Sequence, residues 1–268
     1  MTLTELIAAL KEGGIDNYKG EAKQLFCHFG DFTPMTLVGQ NPSLDTPAFL
    51  DAVARRLNHE PLQYILGEAF FYGEVYEVTP DCLIPRADTE VLVEHALHLL
   101  PQGAIFADLC TGSGCIAIST LAHRTDTFAC AYDISEGALA LARKNAQKNG
   151  VARRITFHHI DVLKEIPAGP FNAILSNPPY IATAVVDTLS QEVKQEPRIA
   201  LDGGETGMDF YRAIVKNGIS SLAPDGFFLF EIGYDQGIAM KELAKEYGMA
   251  CTVFKDYGGN DRVAYLTK

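Results

Sequence analysis

The chain has 268 residues, 47% hydrophobic and 21% charged, which excludes a wholly disordered chain and suits one large domain or a medium domain with a small companion. Lys and Arg number 22 against 34 Asp and Glu, a net charge of -12. That balance disfavours tight binding to duplex nucleic acid, which depends on cations displacing phosphate counterions.

At the N-terminus Leu3, Leu6, Ile7 and Leu10 fall at i, i+3, i+4 and i+7, the stripe of an amphipathic helix rather than a signal peptide with a basic opening. Residues 16–28, 46–57 and 61–65 read as three further helices, with breaks at Gly13-Gly14, Gly30 and Asn41-Pro42. A small all-α domain is therefore expected over 1–68. FFYGEVYEVTP, from Phe70, sets aromatic and β-branched residues around a glycine and predicts a β-hairpin linker over 69–82. A helix over 89–100 follows. Then seven apolar runs alternate with helical patterns: AIFADLC (104–110), FACAYD (128–133), ITFHHID (155–161), FNAILS (171–176), GFFLFEI (226–232), ACTVF (250–254) and VAYLTK (263–268). Such alternation predicts an α/β fold over 83–268, with a parallel sheet covered on both faces. No run is long enough to span a bilayer. The six cysteines, Cys27, Cys82, Cys110, Cys115, Cys130 and Cys251, form no C-x-x-C pair; buried small hydrophobes in a reducing cytosol are expected, with no metal site.

DLCTGSGC (108–115) ends the first strand of the sheet and opens a helix. Gly112 and Gly114 permit a tight turn and let a ligand approach backbone N–H groups. A turn of this kind also occurs for structural reasons alone, and Ala117 completes a dinucleotide fingerprint, which keeps a nicotinamide enzyme in view. Asp133 closes the second strand, where a carboxylate can take both ribose hydroxyls of a nucleoside. Asp161 closes the third, where it can accept from an adenine amino group. Either aspartate alone is more often a helix N-cap; three successive strand ends carrying a Gly turn, Asp and Asp point to a nucleoside pocket.

SNPPY (176–180) ends the fourth strand beside that pocket. Pro178 has no N–H, and both proline rings fix φ, so the backbone here cannot join a ladder and a rigid carbonyl is left pointing outward. The Asn177 side-chain oxygen is a second acceptor, and Tyr180 offers a flat ring. Two acceptors and a stacking ring match an sp² NH₂ group, a carboxamide or an adenine amine. Its delocalised lone pair makes it a poor nucleophile; holding both N–H bonds turns that lone pair towards an electrophile and stabilises the developing positive charge. No strong base is then needed. A Pro-Pro turn with an ordinary turn-forming Asn is the alternative.

DLCTGSGC, Asp133 and Asp161 suggest a class I S-adenosylmethionine-dependent methyltransferase, with its Rossmann-like seven-stranded domain, and NPPY resembles the N/D-P-P-Y/F motif of amino methyltransferases. PLQYILGEAFFYG (61–73), LIPRADTEVLV (83–93), NPPYI (177–181), EPRIALDGGETGMDFYR (196–212), FEIGYDQG (230–237) and GGNDRVAYL (258–266) are similar to the HemK/PrmC family of glutamine methyltransferases. The resemblance implies methylation of the glutamine side-chain nitrogen in the GGQ loop of class 1 peptide chain release factors, with S-adenosyl-L-homocysteine as product. It implies that Asn177 and the Pro178 carbonyl hold the amide, with Pro179 beside them and Tyr180 packed on it. Asp108, the loop Cys110, Thr111, Gly112, Ser113 and Gly114, together with Asp133, Asp161, Val162 and Asn177, would hold S-adenosylmethionine. Arg86, Thr89 and Glu90 would lie near its methionine end or the substrate entrance, or serve as caps and salt bridges of the following helix. Two positions depart from the family's pattern: Cys110 stands where many relatives have glycine, and Val162 where an aromatic is common. In the 196–212 segment Gly203, Gly204 and Gly207 suggest a flexible loop, with Pro197 and Arg198 shaping a substrate channel.

Two alternatives share this chemistry: a glutamine methyltransferase of a ribosomal protein, and an adenine-N6 nucleic-acid methyltransferase. Residues 1–75 carry five Lys/Arg against ten Asp/Glu, a poor grip on phosphates. A non-catalytic adaptor would not need paired acceptors, and a hydride-transfer enzyme would need a proton relay. A monomer without membrane or direct nucleic-acid contact is expected.

Overall fold

The computed structural model describes residues 1–268, which divide into two compact units, Met1–Glu68 with Ser190–Gln195, and Ala69–Leu189 with Glu196–Lys268. In the first, helices α1 (Leu3–Glu12), α2 (Tyr18–Phe29), α3 (Pro47–Leu57) and α4 (Leu62–Leu66) follow the four predicted segments. Thr2 and Glu5 close a reciprocal capping box at α1, and Thr46 caps α3 ahead of Pro47. Leu6, Leu10, Leu25, Phe26 and Phe49 form the buried core of this unit. Arg56 is also buried, and its guanidinium is satisfied by the Glu21 carboxylate, the Glu60 carbonyl and Glu192. Burying that charge is tolerated only because every face of it is paired.

The second unit opens on a hairpin, β1 (Glu68–Phe71) and β2 (Glu74–Glu77), turning through Tyr72 and Gly73 at φ of 49° and 91°. Positive φ at both positions gives the twist that a two-residue hairpin needs. Then come α5 (Ala87–Leu99), β3 (Ile105–Leu109), α6 (Cys115–His123), β4 (Phe128–Asp133), α7 (Glu136–Lys148), β5 (Ile155–His159), β6 (Phe171–Ser176) and a short α8 (Thr183–Val186). The chain ends with α9 (Asp209–Gly218), β7 (Leu222–Glu231), α10 (Gly237–Glu246), β8 (Ala250–Lys255) and β9 (Asp261–Thr267).

The seven strands of the main sheet run in the order β5-β4-β3-β6-β7-β9-β8. Neighbouring residues along the strands face opposite ways. Phe106, Leu175 and Leu229 pack with α5 and α6, whereas Ala107, Ile174 and Phe228 pack with α9 and α10. The sheet is not wholly parallel, as the alternation suggested: β9 pairs antiparallel with both β7 and β8. Only residues 256–260 join β8 to β9, too few for the crossover that parallel neighbours require. From β3 the chain moves outward to β4 and β5, then returns to place β6 on the other side of β3. That reversal opens a crevice at the carboxyl ends of the strands, the expected ligand position in an open α/β sheet. No helix is long and apolar enough to cross a membrane.

Candidate active site

Four strand ends converge on a cleft walled by residues 81–86, 110–113, 133–135 and 160–163, with Asn177 and Pro179. The turn after β3 takes three residues through the left-handed region: Cys110, Gly112 and Gly114, at φ of 58°, 55° and 83°. Gly112 donates its N–H to Asp133 Oδ2 at 2.8 Å, and Thr111 donates to the Tyr132 carbonyl at 3.0 Å, so the turn is laced to the end of β4. A Cβ on Gly114 would lie 2.7 Å from Ile118 Cδ1; this glycine serves close packing and does not line the cleft. Cys110 holds its unusual backbone with a side chain attached, at a cost of about 1–2 kcal/mol.

Beneath the turn Asp108 is buried. Its Oδ2 accepts from Thr111 Oγ1 at 2.6 Å and the Ala117 N–H at 3.3 Å, while Oδ1 has no hydrogen-bond partner. Burial pushes its carboxyl up to about 7. Asp133 faces the cleft and also accepts from the Ser135 N–H at 2.9 Å; burial raises its pKa too. Asp161 accepts from the Leu163 N–H at 3.1 Å and pairs with the exposed Lys164 at 2.8 Å. That bond to Lys164 holds its carboxyl below the usual range. Val162 is buried in the core and contributes to the wall.

β6 is tied to β3 at its end by the Ser176 hydroxyl, which donates to the Leu109 carbonyl at 2.6 Å. Asn177 follows, its Nδ2 donating to Thr89 Oγ1 on α5 at 3.2 Å. Pro178 is buried, Pro179 reaches the cleft, and Tyr180 donates its hydroxyl to Glu231 Oε1 at 3.3 Å. The main chain after the prolines is clamped. Gln236 Nε2 donates to the Tyr180 carbonyl at 3.0 Å, Ile181 donates to Leu201, and Gly203 returns a bond to Ile181. Gly203 and Gly207 are there for close approach, not flexibility: a Cβ on Gly203 would sit 2.7 Å from Tyr180 Cα, and one on Gly207 2.2 Å from the Tyr180 carbonyl oxygen.

The release factor glutamine methyltransferase of Moorella thermoacetica is 39% identical to this chain over 268 residues, covering 97% of this chain and 95% of the relative. The chain belongs to the release factor glutamine methyltransferase family. The Geobacter sulfurreducens member is 38% identical over 263 residues, covering 95% of this chain and 91% of its own. Residues 87–207 match the family described as "Methyltransferase small domain", and residues 2–67 match "PrmC N-terminal domain". The fold recurs in a solved ribosomal protein L11 methylase from Lactobacillus delbrueckii subsp. bulgaricus, at 20% identity and a TM-score of 0.52, covering 71% of this chain and 83% of that one.

Methyltransferases of this family imply S-adenosylmethionine, and the cleft residues fit it. Asp133 offers a carboxylate at a strand end, Ile134, Val162 and Leu163 offer apolar walls, and the turn at 110–113 brings main chain to the cleft. Arg86 lines the cleft and is bonded to the buried Glu196, whose Oε2 also accepts the Ile84 N–H at 3.0 Å. Glu90 does not line it; its carboxylate accepts the Tyr72 N–H at 2.8 Å and steadies the hairpin turn. Reasoning from sequence missed Glu196, Glu231 and Gln236. For Glu231 a signal existed, a carboxylate at the end of the apolar run GFFLFEI.

Proposed function

We propose that this chain methylates the side-chain nitrogen of the glutamine in the GGQ motif of class 1 peptide chain release factors. The observation that carries this reading is a pair of acceptors at the end of β6, Asn177 Oδ1 and the Pro178 carbonyl, neither of which takes a donor from the protein. A primary amide has two N–H bonds to give and a delocalised lone pair. Accepting both bonds fixes the nitrogen, turns its lone pair to the cleft and stabilises positive charge as it forms there. S-adenosylmethionine, when bound, supplies an electrophilic methyl group on a sulfonium. Asp133 would hold its ribose hydroxyls, the turn at 110–113 its amino acid portion, and Asp161 with Val162 its adenine. We assign the helical segment 1–68 to recognition of the protein partner, and place the activity in the cytoplasm, where translation terminates. The acidic balance of residues 1–75 argues against a nucleic-acid substrate, since phosphate contacts rest on cations.

The test supplies methyl-labelled S-adenosylmethionine with a purified class 1 release factor, and in parallel with a factor whose GGQ glutamine is replaced by alanine. Label on the first and none on the second is expected. Equal label on both, or label only on a ribosomal protein or on DNA, would overturn the assignment.

A further inference from the structure

Gln236 stands at the N-cap position of α10, where a polar side chain ordinarily bonds the first N–H groups of its own helix. It makes no such bond. Its main chain is fixed on both sides, the N–H donating to the Gly233 carbonyl at 3.0 Å and the carbonyl accepting the Met240 N–H at 3.0 Å. Its side chain goes to other segments. Nε2 donates to the Tyr180 carbonyl at 3.0 Å and to the Gly207 carbonyl at 3.3 Å, while Oε1 accepts the Gly233 N–H at 2.8 Å. The buried Tyr211 hydroxyl, which donates to the Glu231 carbonyl at 2.8 Å, lies 3.4 Å from the same Oε1.

These partners admit one orientation of the amide. Main-chain carbonyls only accept and a main-chain N–H only donates, so the NH₂ must face residues 180 and 207 and the oxygen must face Gly233. The inverted amide would set its oxygen against two carbonyls. Among side chains of this length, only glutamine offers two donors and an acceptor without a charge. The residue is 8% exposed, and an unpaired polar group would be costly there.

The bond to Tyr180 matters because of what precedes it. Pro178 and Pro179 have no N–H with which to tie themselves to a neighbour, so the acceptors between Ser176 and Tyr180 are held from their two ends. At the near end the Ser176 hydroxyl donates to the Leu109 carbonyl at 2.6 Å. At the far end the tie is Gln236. It does not line the cleft.

We infer that Gln236 is a positioning residue for methyl transfer: its amide joins the exit of NPPY, the Gly207 loop and the turn after β7, and so fixes the direction of the Pro178 carbonyl without touching the substrate. The inference rests on the amide-holding role proposed for Asn177 and Pro178. Gln236→Met keeps the length of the side chain and removes both donors. It should lower kcat on the release factor about 10–100-fold, with KM within roughly threefold of wild type. Calorimetry should find a full complement of bound S-adenosylmethionine, with affinity changed less than about twofold; a merely structural loss would reduce the bound fraction in step with kcat. In a Gly207→Ala background, Gln236→Met should add less than about a threefold loss, because both act on one joint.

A readout independent of turnover is a pair of crystal structures, wild type and Gln236→Met, superposed on β3 and β6. The Pro178 and Tyr180 carbonyls should differ by about 1 Å, the scale of misplacement that slows a positioned reaction, with the strands unchanged. If the wild type does not methylate the release factor, the functional assignment fails while this comparison still decides the role of Gln236. If Gln236→Met does not fold, Gln236→Ala leaves room for water to reach the freed carbonyls and carries the same expectations. Wild-type kcat in the variant, a fall in bound cofactor that matches the fall in kcat, a full additional loss on top of Gly207→Ala, or unmoved carbonyls would overturn the inference.

Discussion

Replacing Gly207 with alanine should slow methyl transfer far more than it lowers stability, and the geometry sets the size of both effects. Gly207 sits at φ 73°, where an L-residue costs about 1–2 kcal/mol. The new Cβ would lie 2.2 Å from the Tyr180 carbonyl oxygen and 2.9 Å from Gln236 Nε2, where ordinary contact begins at 3.4 Å. The two segments must part by about an ångström, and the group that holds them, Gln236, is displaced as well. Tyr180 is separated from Asn177 only by two prolines whose φ angles cannot adjust, so the shift reaches the amide-holding oxygen. A misplacement of about 1 Å costs on the order of 10²-fold in rate. Gly248→Ala is the control. It has φ 68° and no atom within 4 Å of the added Cβ, so it should show the loss of stability with unchanged turnover. Steady-state methylation, thermal melts and S-adenosylmethionine affinity separate the effects. Wild-type kcat in Gly207→Ala, or an equal slowing in Gly248→Ala, would refute the reasoning.

Cys110→Gly should raise the melting temperature, because relief of about 1–2 kcal/mol of left-handed strain exceeds the roughly 0.5–1 kcal/mol of added unfolded-state freedom; a lower melting temperature would show that packing of the thiol dominates. Glu196→Ala leaves the Ile84 N–H unpaired and frees Arg86, so it should destabilise by about 1–3 kcal/mol and weaken cofactor affinity. Unchanged melts and calorimetry would contradict this. Burial holds Asp108 up to about 7 against an ordinary 3.8, so the folded chain binds the extra proton between those values and its stability falls as pH rises through them. Asp108→Asn removes that titration. Relative to wild type, the variant should melt higher at pH 8 than at pH 5, and a difference independent of pH would exclude burial as the cause.

The strands were legible because a buried parallel strand must be a continuous apolar run, and FNAILS, FACAYD and AIFADLC are such runs. The antiparallel β9 was not, since strand direction is set by the length of the connection rather than by composition. The Gly turn, Asp133 and Asn177 stood out in sequence because each follows directly on an apolar strand run, and in the structure each lies at a strand end lining the cleft. Pairings between distant residues leave no such trace. Glu196 meets Arg86 across 110 positions and Glu192 meets Arg56 across 136, and each of these glutamates reads as an ordinary surface charge until the partner is seen. Gly203 and Gly207 show a different limit: a glycine needed for close approach looks the same in sequence as one needed for freedom.

The most direct measurement is the rate at which wild-type protein and Asn177→Ala methylate a class 1 release factor, with the methyl located by mass spectrometry and S-adenosylmethionine affinity measured on both. The account predicts a methyl on the GGQ glutamine with wild type, transfer slowed at least about 10²-fold in the variant, and similar cofactor affinity. A methyl on another residue, or an undiminished rate without the Asn177 amide, would contradict it.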